Sequence, residues 1–306
     1  MSMKKLCAET APMAGWTDFA FRRVLRKCGA RIIWTEMISV AALAHGNAKT
    51  HELLKRDRGK TVVQLFGHDP EQFRKVIESG VLRGFHEINI NMGCPARKIV
   101  TNGDGVTLMK NPALAKRIVE ACVAAANAPT AAPRRTKMPV SVKMRLGYKD
   151  VGEAVALAKI CETAGASRII VHGRFAEQGY SGKADHNAIG KVVRAVKIPV
   201  IANGDIRDQK TTETALSQSG AAGVMMGRAL LGAPWRIKQT TAHEKAVKRI
   251  MRCHIKLARK HHGERHIYDM RKHLLAYCKH LKNGKETAAL FAAAKTCDEV
   301  LKILKP

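Results

Sequence analysis

IPVIANGDI, residues 198–206, is an unbroken apolar run that stops abruptly at Asn203-Gly204-Asp205. A strand with one wet face alternates apolar and polar residues, whereas an unbroken run marks a strand covered on both faces, as in parallel sheets. Working outward, the same texture recurs in LCAETAPMAG (6–15), RIIWTEM (31–37), TVVQLFG (61–67), HEININMG (86–93), VSVKMRLG (140–147), RIIVHGR (168–174) and AGVMMGRA (222–229), making eight β-rich runs. Helix signals lie between them. A Thr17-Asp18 cap opens a helix that runs to Cys28, and Asp69-Pro70-Glu71 and Asn111-Pro112 open two more. GEAVALAKICETAG (152–165) and DQKTTETALSQSG (208–220) each close on a glycine. Strand–helix alternation of this kind builds right-handed βαβ units, and eight of them in about 235 residues match a (β/α)8 barrel. The expected fold is therefore α/β, a TIM barrel. An open doubly wound sheet is the alternative, but it calls for a G-x-G-x-x-G after the first strand, and APMAGWTD has none.

After Pro234 the texture changes. Residues 240–306 lack β-runs and read as three helices over about 242–261, 265–282 and 284–304, with basic residues exceeding acidic ones roughly three to one. The expected division is a catalytic barrel over 1–238 and a small C-terminal all-α domain over 239–306. The basic Pro/Ala-rich stretch NAPTAAPRRTKMP (127–139) precedes a strand, so it is expected as a surface loop on the non-catalytic side.

The 306 residues carry 54 Lys+Arg against 25 Asp+Glu, a formal charge of +29. An excess of that size repels itself unless a polyanion neutralises it, and nucleic acid is the commonest such partner. A hydrophobic content of 46% argues against global disorder. No apolar run reaches bilayer length, and the start, MSMKKLCAET, has no apolar stretch of a secretory signal. A cytoplasmic monomer with no membrane partner is expected. The eight cysteines include no C-x-x-C pair, and HHGERH (261–266) lacks the glutamate of H-E-x-x-H, so no metal site is expected.

In such barrels the chemistry sits at the C-terminal ends of the strands. Those ends read Pro12-Met13-Ala14-Gly15; Glu36; Gln64; Asn89, Asn91 and Cys94; Lys143 and Arg145; His172 and Arg174; Asn203-Gly204-Asp205; and Gly227-Arg228. Any one of them could be a satisfied structural group, but a barrel built for stability alone has no need of all of them at one end. The loops after strands seven and eight fall where barrels bind phosphate, with glycine permitting backbone approach and Arg228 supplying a bidentate cation. Gln64, Lys143 and His172 would ring the middle of the mouth. That suits a planar ring with several carbonyl oxygens and nitrogens, and a lysine there would favour negative charge on a reduced isoalloxazine.

APMAGWTD, QLFG, NINMGCPARK, VKMRLG, HGR…GYSGKAD, PVIANGDI and GVMMGRALLGAPW follow one another in the order and spacing of the tRNA-dihydrouridine synthases, flavin enzymes that reduce uridine in RNA. RKHLLAYCKH (271–280) resembles that family's signature in the helical domain, and the bacterial B-type branch is the most similar. The resemblance spans nearly the whole chain. It implies FMN, with Pro12, Met13 and Ala14 lining it through backbone contacts, and Gln64, Lys143 and His172 on the ring and ribityl chain. Asn203, Gly204, Asp205, Gly227 and Arg228 would take the ribityl and phosphate end. Cys94 stands where the family has its proton donor, and Asn91, Arg145 and Arg174 match positions near the substrate. Arg97, Lys98 and Arg174 would hold neighbouring phosphates, and Arg271, Lys272, His273 and Tyr277 would contact RNA from the helical domain. NADPH, or NADH, would visit the same pocket as reductant. Trp16, Phe175, His186 and the segment NGDGVTLMK depart from the family pattern around the substrate.

The reaction so implied places a hydride from reduced flavin on uracil C6 and a proton from Cys94 on C5, saturating the C5=C6 bond to give 5,6-dihydrouridine. A free thiol, ionising near about 8.5, still carries its proton at neutral pH. The stacked uridine would have to be extruded into the mouth. The alternatives are the same chemistry on ribosomal RNA and a flavin barrel dehydrogenase for a small metabolite, which leaves +29 without a purpose. A non-catalytic RNA-binding barrel is the third, and it would be expected to have lost Cys94 or the flavin residues.

Overall fold

The apolar runs do form strands. The computed structural model describes residues 8–128 and 137–304. The strands are β1 (Glu9–Thr10), β2 (Ile32–Ser39), β3 (Lys60–Phe66), β4 (Glu87–Met92), β5 (Val140–Arg145), β6 (Ile169–His172), β7 (Val200–Asn203) and β8 (Gly223–Met226). All pair in parallel in the order β1-β8-β7-β6-β5-β4-β3-β2. Between β1 and β2 the Trp34 N–H donates to Thr10 Oγ1 at 3.2 Å, so the sheet curls into a nearly closed TIM barrel. Among the described residues of the run 6–15 two pair as strand, Glu9 and Thr10, because beyond Ala11 the chain turns across the barrel mouth.

Helices alternate with the strands: α1 (Phe19–Lys27), α2 (Val40–Ala44), α3 (Ala48–Glu52), α4 (Pro70–Glu78), α5 (Arg97–Thr101), α6 (Pro112–Asn127), α7 (Val151–Thr163), α8 (His186–Ala195) and α9 (Gln209–Ser219). Asp18, Asp69, Asn111, Asp150, Asp185 and Asp208 each accept a first-turn backbone N–H that would otherwise lack a partner. The loop expected over 127–139 lies largely outside the described residues, as does the lysine-bearing start.

β4 shows how the barrel divides its residues. Ile88, Ile90 and Met92 join the main apolar cluster with Ile118 and Val119 of α6. The alternate residues, Glu87, Asn89 and Asn91, are buried and hydrogen-bond to polar groups of β3 and β5. The interior is thus partly polar. At the end opposite the mouth Arg168 pairs with Glu9 and Glu87.

The C-terminal region is helical: α10 (Glu244–His262), a 3-10 turn at Glu264–His266, α11 (Ile267–Cys278), α12 (Gly284–Ala293) and α13 (Cys297–Ile303). The single helix expected over 284–304 is two, because Ala294 turns extended and Thr296 caps α13 by accepting the Glu299 N–H at 3.2 Å. The core of this region (Val247, Met251, Leu274, Tyr277, Phe291) also takes in Ala20 of α1, which docks the helices on the barrel. At the seam Phe21 lies 5.4 Å from His254 and 4.8 Å from His273, centroid to centroid. Among the described residues no helix is long and apolar enough to cross a membrane, and no group of His, Cys, Asp and Glu could hold a metal ion.

Candidate active site

A cavity of about 780 Å³ opens at the C-terminal end of the strands. Its wall takes residues from every strand end except β2's glutamate: Pro12 to Ala14, Gln64, Asn91, Cys94, Lys143, Arg145, His172, Asn203 to Asp205, Gly227 and Arg228 all line it. Glu36, within β2, instead anchors the first loop by accepting the Gly15 N–H at 2.7 Å. Thr17 pins the same loop, its Oγ1 accepting the Met13 N–H at 3.1 Å.

Cys94 sits on the rim in the turn after β4. Asn91 Oδ1 accepts the N–H groups of Gly93 and Cys94 at 3.1 and 2.9 Å, and Arg145 Nε donates to the Gly93 carbonyl at 2.9 Å. The loose-looking segment NGDG has a definite task here. Gly105 has φ +62°, and a Cβ on it would come within 2.6 Å of the Cys94 carbonyl oxygen, so only glycine lets the segment close under the cysteine. Asp104 beside it meets His68 Nδ1 at 2.8 Å.

The far wall is cationic. Lys143 Nζ donates to Asn203 Oδ1 at 3.0 Å, and Asn203 Nδ2 in turn donates to the Met225 carbonyl at 2.9 Å. Burial, with Arg145 nearby, lowers the Lys143 pKa to about 7, against a smaller opposing pull from Cys94. His172 is lowered to about 2 by burial and by Lys143, Arg145, Arg174 and Arg228 around it. It is therefore a neutral imidazole at neutral pH. Its Nε2 faces Arg174 Nη1 at 3.2 Å, and since a guanidinium can only donate, the ring proton belongs on Nδ1.

Asp205 occupies the left-handed region (φ 50°), accepting both Arg174 (2.8 and 2.9 Å) and the Ala184 N–H (2.8 Å). Burial raises its pKa, but these bonds and the Arg174 and Arg228 charges bring it below the ordinary carboxylate range. Arg228 lies 3.5 Å from it, 55% exposed, at the start of a 3-10 turn with no side-chain cap. Gly204 is equally constrained, since a Cβ would meet Ala184 Cβ at 2.6 Å.

The placements of the expected substrate residues differ. Arg97 and Lys98 are exposed at the start of α5, beside the rim. Arg174 does not line the cavity: it is buried, and its guanidinium is bound to the carbonyls of Ser181 and Gly182 and to Asp205, so it braces the 173–185 loop. Arg145 reaches the same loop through the carbonyls of Phe175 and Gly179 at 2.9 and 2.6 Å. His273 and Tyr277 have no exposed surface, which corrects the expectation that they touch RNA; they pack at the seam with His254 and Phe21. Arg271 donates to the Ala294 carbonyl at 3.0 Å, and Lys272 reaches over the Trp16 ring at 5.7 Å. Two lining aromatics escaped the strand-end survey: Trp16, noted only as a departure, and Tyr180, 61% exposed and 5.1 Å from the Arg228 guanidinium. Neither is on a strand end, which is why a survey of strand ends passes over them.

Barrel and mouth together define a (β/α)8 enzyme with its site ringed by cations and a single thiol. Comparison with known proteins makes this specific. The profile of the Dihydrouridine synthase (Dus) family matches residues 9–305, and the chain belongs to that family. It is 41% identical over 233 residues to a probable tRNA-dihydrouridine synthase of Rickettsia conorii, covering 75% of this chain and 67% of the relative. It is 32% identical over 299 residues to tRNA-dihydrouridine synthase B of Pseudomonas putida, covering 92% and 86%. Among solved structures, morphinone reductase shares the fold, with a TM-score of 0.52 at 12% identity over 77% of this chain and 86% of that one.

Proposed function

We propose that the protein reduces the C5=C6 bond of uridine in tRNA to dihydrouridine, with FMN as its flavin and NADPH as reductant. The observation that carries the reading is the placing of Cys94 on the rim of a cavity whose floor and far wall are Gln64, Lys143, His172 and Arg228. The donor set suits FMN. Gln64 and neutral His172 offer hydrogen bonds to a heterocycle, Lys143 offers a cation beneath it, and the uncapped turn at Arg228 offers N–H groups and a guanidinium to a phosphate. Asp205 is compatible with an anion nearby because Arg174 and the Ala184 N–H already neutralise it. When bound and reduced, the flavin supplies the hydride for uracil C6.

The remaining work falls to the chain. Asn91 and Arg145 hold the turn so that Cys94 faces the cavity, and its thiol gives a proton to C5. Tyr180 and Trp16 present aromatic faces to a base turned out of its stack. Arg97 and Lys98 meet the adjoining phosphates, and the C-terminal helices, with Lys272 at the mouth, grip the RNA body.

The test is to purify the protein, read the flavin band near about 450 nm, and supply NADPH with tRNA lacking dihydrouridine. Dihydrouridine should form in the wild type, and the Cys94→Ala protein should keep its colour but not turn over. Full turnover by the alanine variant, or turnover on a free pyrimidine but not on RNA, overturns the reading.

A further inference from the structure

Below the mouth a line of buried polar side chains runs the length of the barrel interior. It starts at the closed end, where Arg168 Nε donates to both oxygens of Glu87 at 3.0 Å. The Ser141 hydroxyl donates to Glu87 Oε1, and Asn89 Nδ2 donates to Ser141 Oγ at 2.8 Å. Gln64 Nε2 donates to Asn89 Oδ1 at 2.8 Å, Asn91 Nδ2 donates to Gln64 Oε1 at 3.0 Å, and Asn91 Oδ1 receives the Gly93 and Cys94 N–H groups.

The direction of every link follows from the first. A carboxylate only accepts, so the single hydroxyl proton of Ser141 points to Glu87 and its oxygen must accept from Asn89. That turns the Asn89 oxygen to Gln64, the Gln64 oxygen to Asn91, and the Asn91 oxygen to the catalytic turn. Reversing the line would set the Asn91 NH2 against two backbone N–H groups, donor against donor. Ser141, Asn89 and Gln64 are at most 1% exposed and Asn91 is 7% exposed, so bulk water does not repair a reversed link.

We infer that Glu87, at the opposite end of the barrel from Cys94, is a positioning residue for the reaction: its carboxylate fixes the orientation of the Asn91 amide and so the turn that presents Cys94. The effect on turnover rests on Cys94 being the proton donor; the effect on the turn does not.

Glu87→Met is the discriminating change. It keeps most of the volume but takes away the acceptor that the Ser141 hydroxyl and Arg168 Nε share at Oε1, so nothing fixes the direction of the hydroxyl. Amide exchange at Gly93 and Cys94 should rise about tenfold while β6 to β8 hold their protection, because two turn N–H groups lose their acceptor. On tRNA, kcat should fall about tenfold with KM unchanged, since the loss is confined to presentation of the proton donor. Arg168→Lys, which weakens the ion cluster but leaves the Glu87 carboxylate in place, should not change exchange at the turn. If Glu87→Met does not fold, Ser141→Ala, which cuts the line at its first link after Glu87, is read in the same way. Unchanged exchange at the turn, a uniform rise across all strands, or an equal effect from Arg168→Lys would each sink the proposal. Should the turn loosen while no dihydrouridine forms even in the wild type, the positioning stands and the reading of the reaction is what fails.

Discussion

Cys94 and Lys143 occupy one mouth, and in the proposed reaction both have to hold a proton. As the proposed proton donor the thiol has to keep its proton, so Cys94→Ala should lower dihydrouridine formation by about 10²–10⁴, the usual yield of a placed acid, with flavin retained. Lys143 sits with its pKa at about 7, so it loses its charge as pH rises through neutrality. Affinity for the anionic reduced flavin should therefore weaken above about pH 7 in titrations of the wild type, and Lys143→Met should bind weakly and without that pH dependence. Gly105→Ala is the steric counterpart. The new Cβ must displace the Cys94 carbonyl, and a loss of turnover larger than the loss in melting temperature would locate the damage at the turn.

At the scale of elements, the strands and most barrel helices were legible because apolar runs and Asx caps are local signals. The unbroken run 198–206 became β7, and Asp69-Pro70 and Asn111-Pro112 opened helices as read. The break at Ala294–Thr296 was hidden because alanine is the strongest helix former, so the sequence there reads as a continuing helix. The buried fate of His273 and Tyr277 was hidden for another reason: basic neighbours in RKHLLAYCKH suggest a wet face, while the face that docks on α1 is decided by tertiary contact. The same docking sets an acid limit. His254 is held neutral, with a pKa of about 4, mainly by burial, and His273 is pushed down as well. The unfolded chain takes up these protons from about 6.5 downward, so the stability is complete above that pH and is lost as pH falls toward 4. For His254 alone the loss is about 3 kcal/mol. Melting temperatures followed from about pH 7.5 to about pH 4.5 should drop steeply, and His254→Phe should flatten part of the slope; an unchanged slope would contradict the assignment.

The molecule as a whole carries its charge more evenly than the basic tail suggests. Of 54 basic and 25 acidic residues, 16 and 6 lie after residue 238, leaving +19 on the barrel segment and +10 on the helices. RNA bound by the helices alone would leave most of the excess unneutralised. Arg97→Ala with Lys98→Ala should thus reduce the salt dependence of tRNA affinity, lowering the log–log slope by about two if both meet phosphates. A slope unchanged by the pair would confine the contact to the tail.

The pairing of β1 with β8, together with the docking of α10 and α11 on α1, also has a bearing on synthesis. The first strand waits for residues 223–226 before its ring partner exists, and Phe21 waits longer still, for His254 and His273. Through most of translation the growing chain is an open sheet with bare edges and an uncovered first helix, the state in which nascent chains most readily stick to one another. The last sixty residues therefore complete the folding of the first twenty, and a chain released before residue 240 should be recovered mainly as aggregate rather than as a weaker RNA binder.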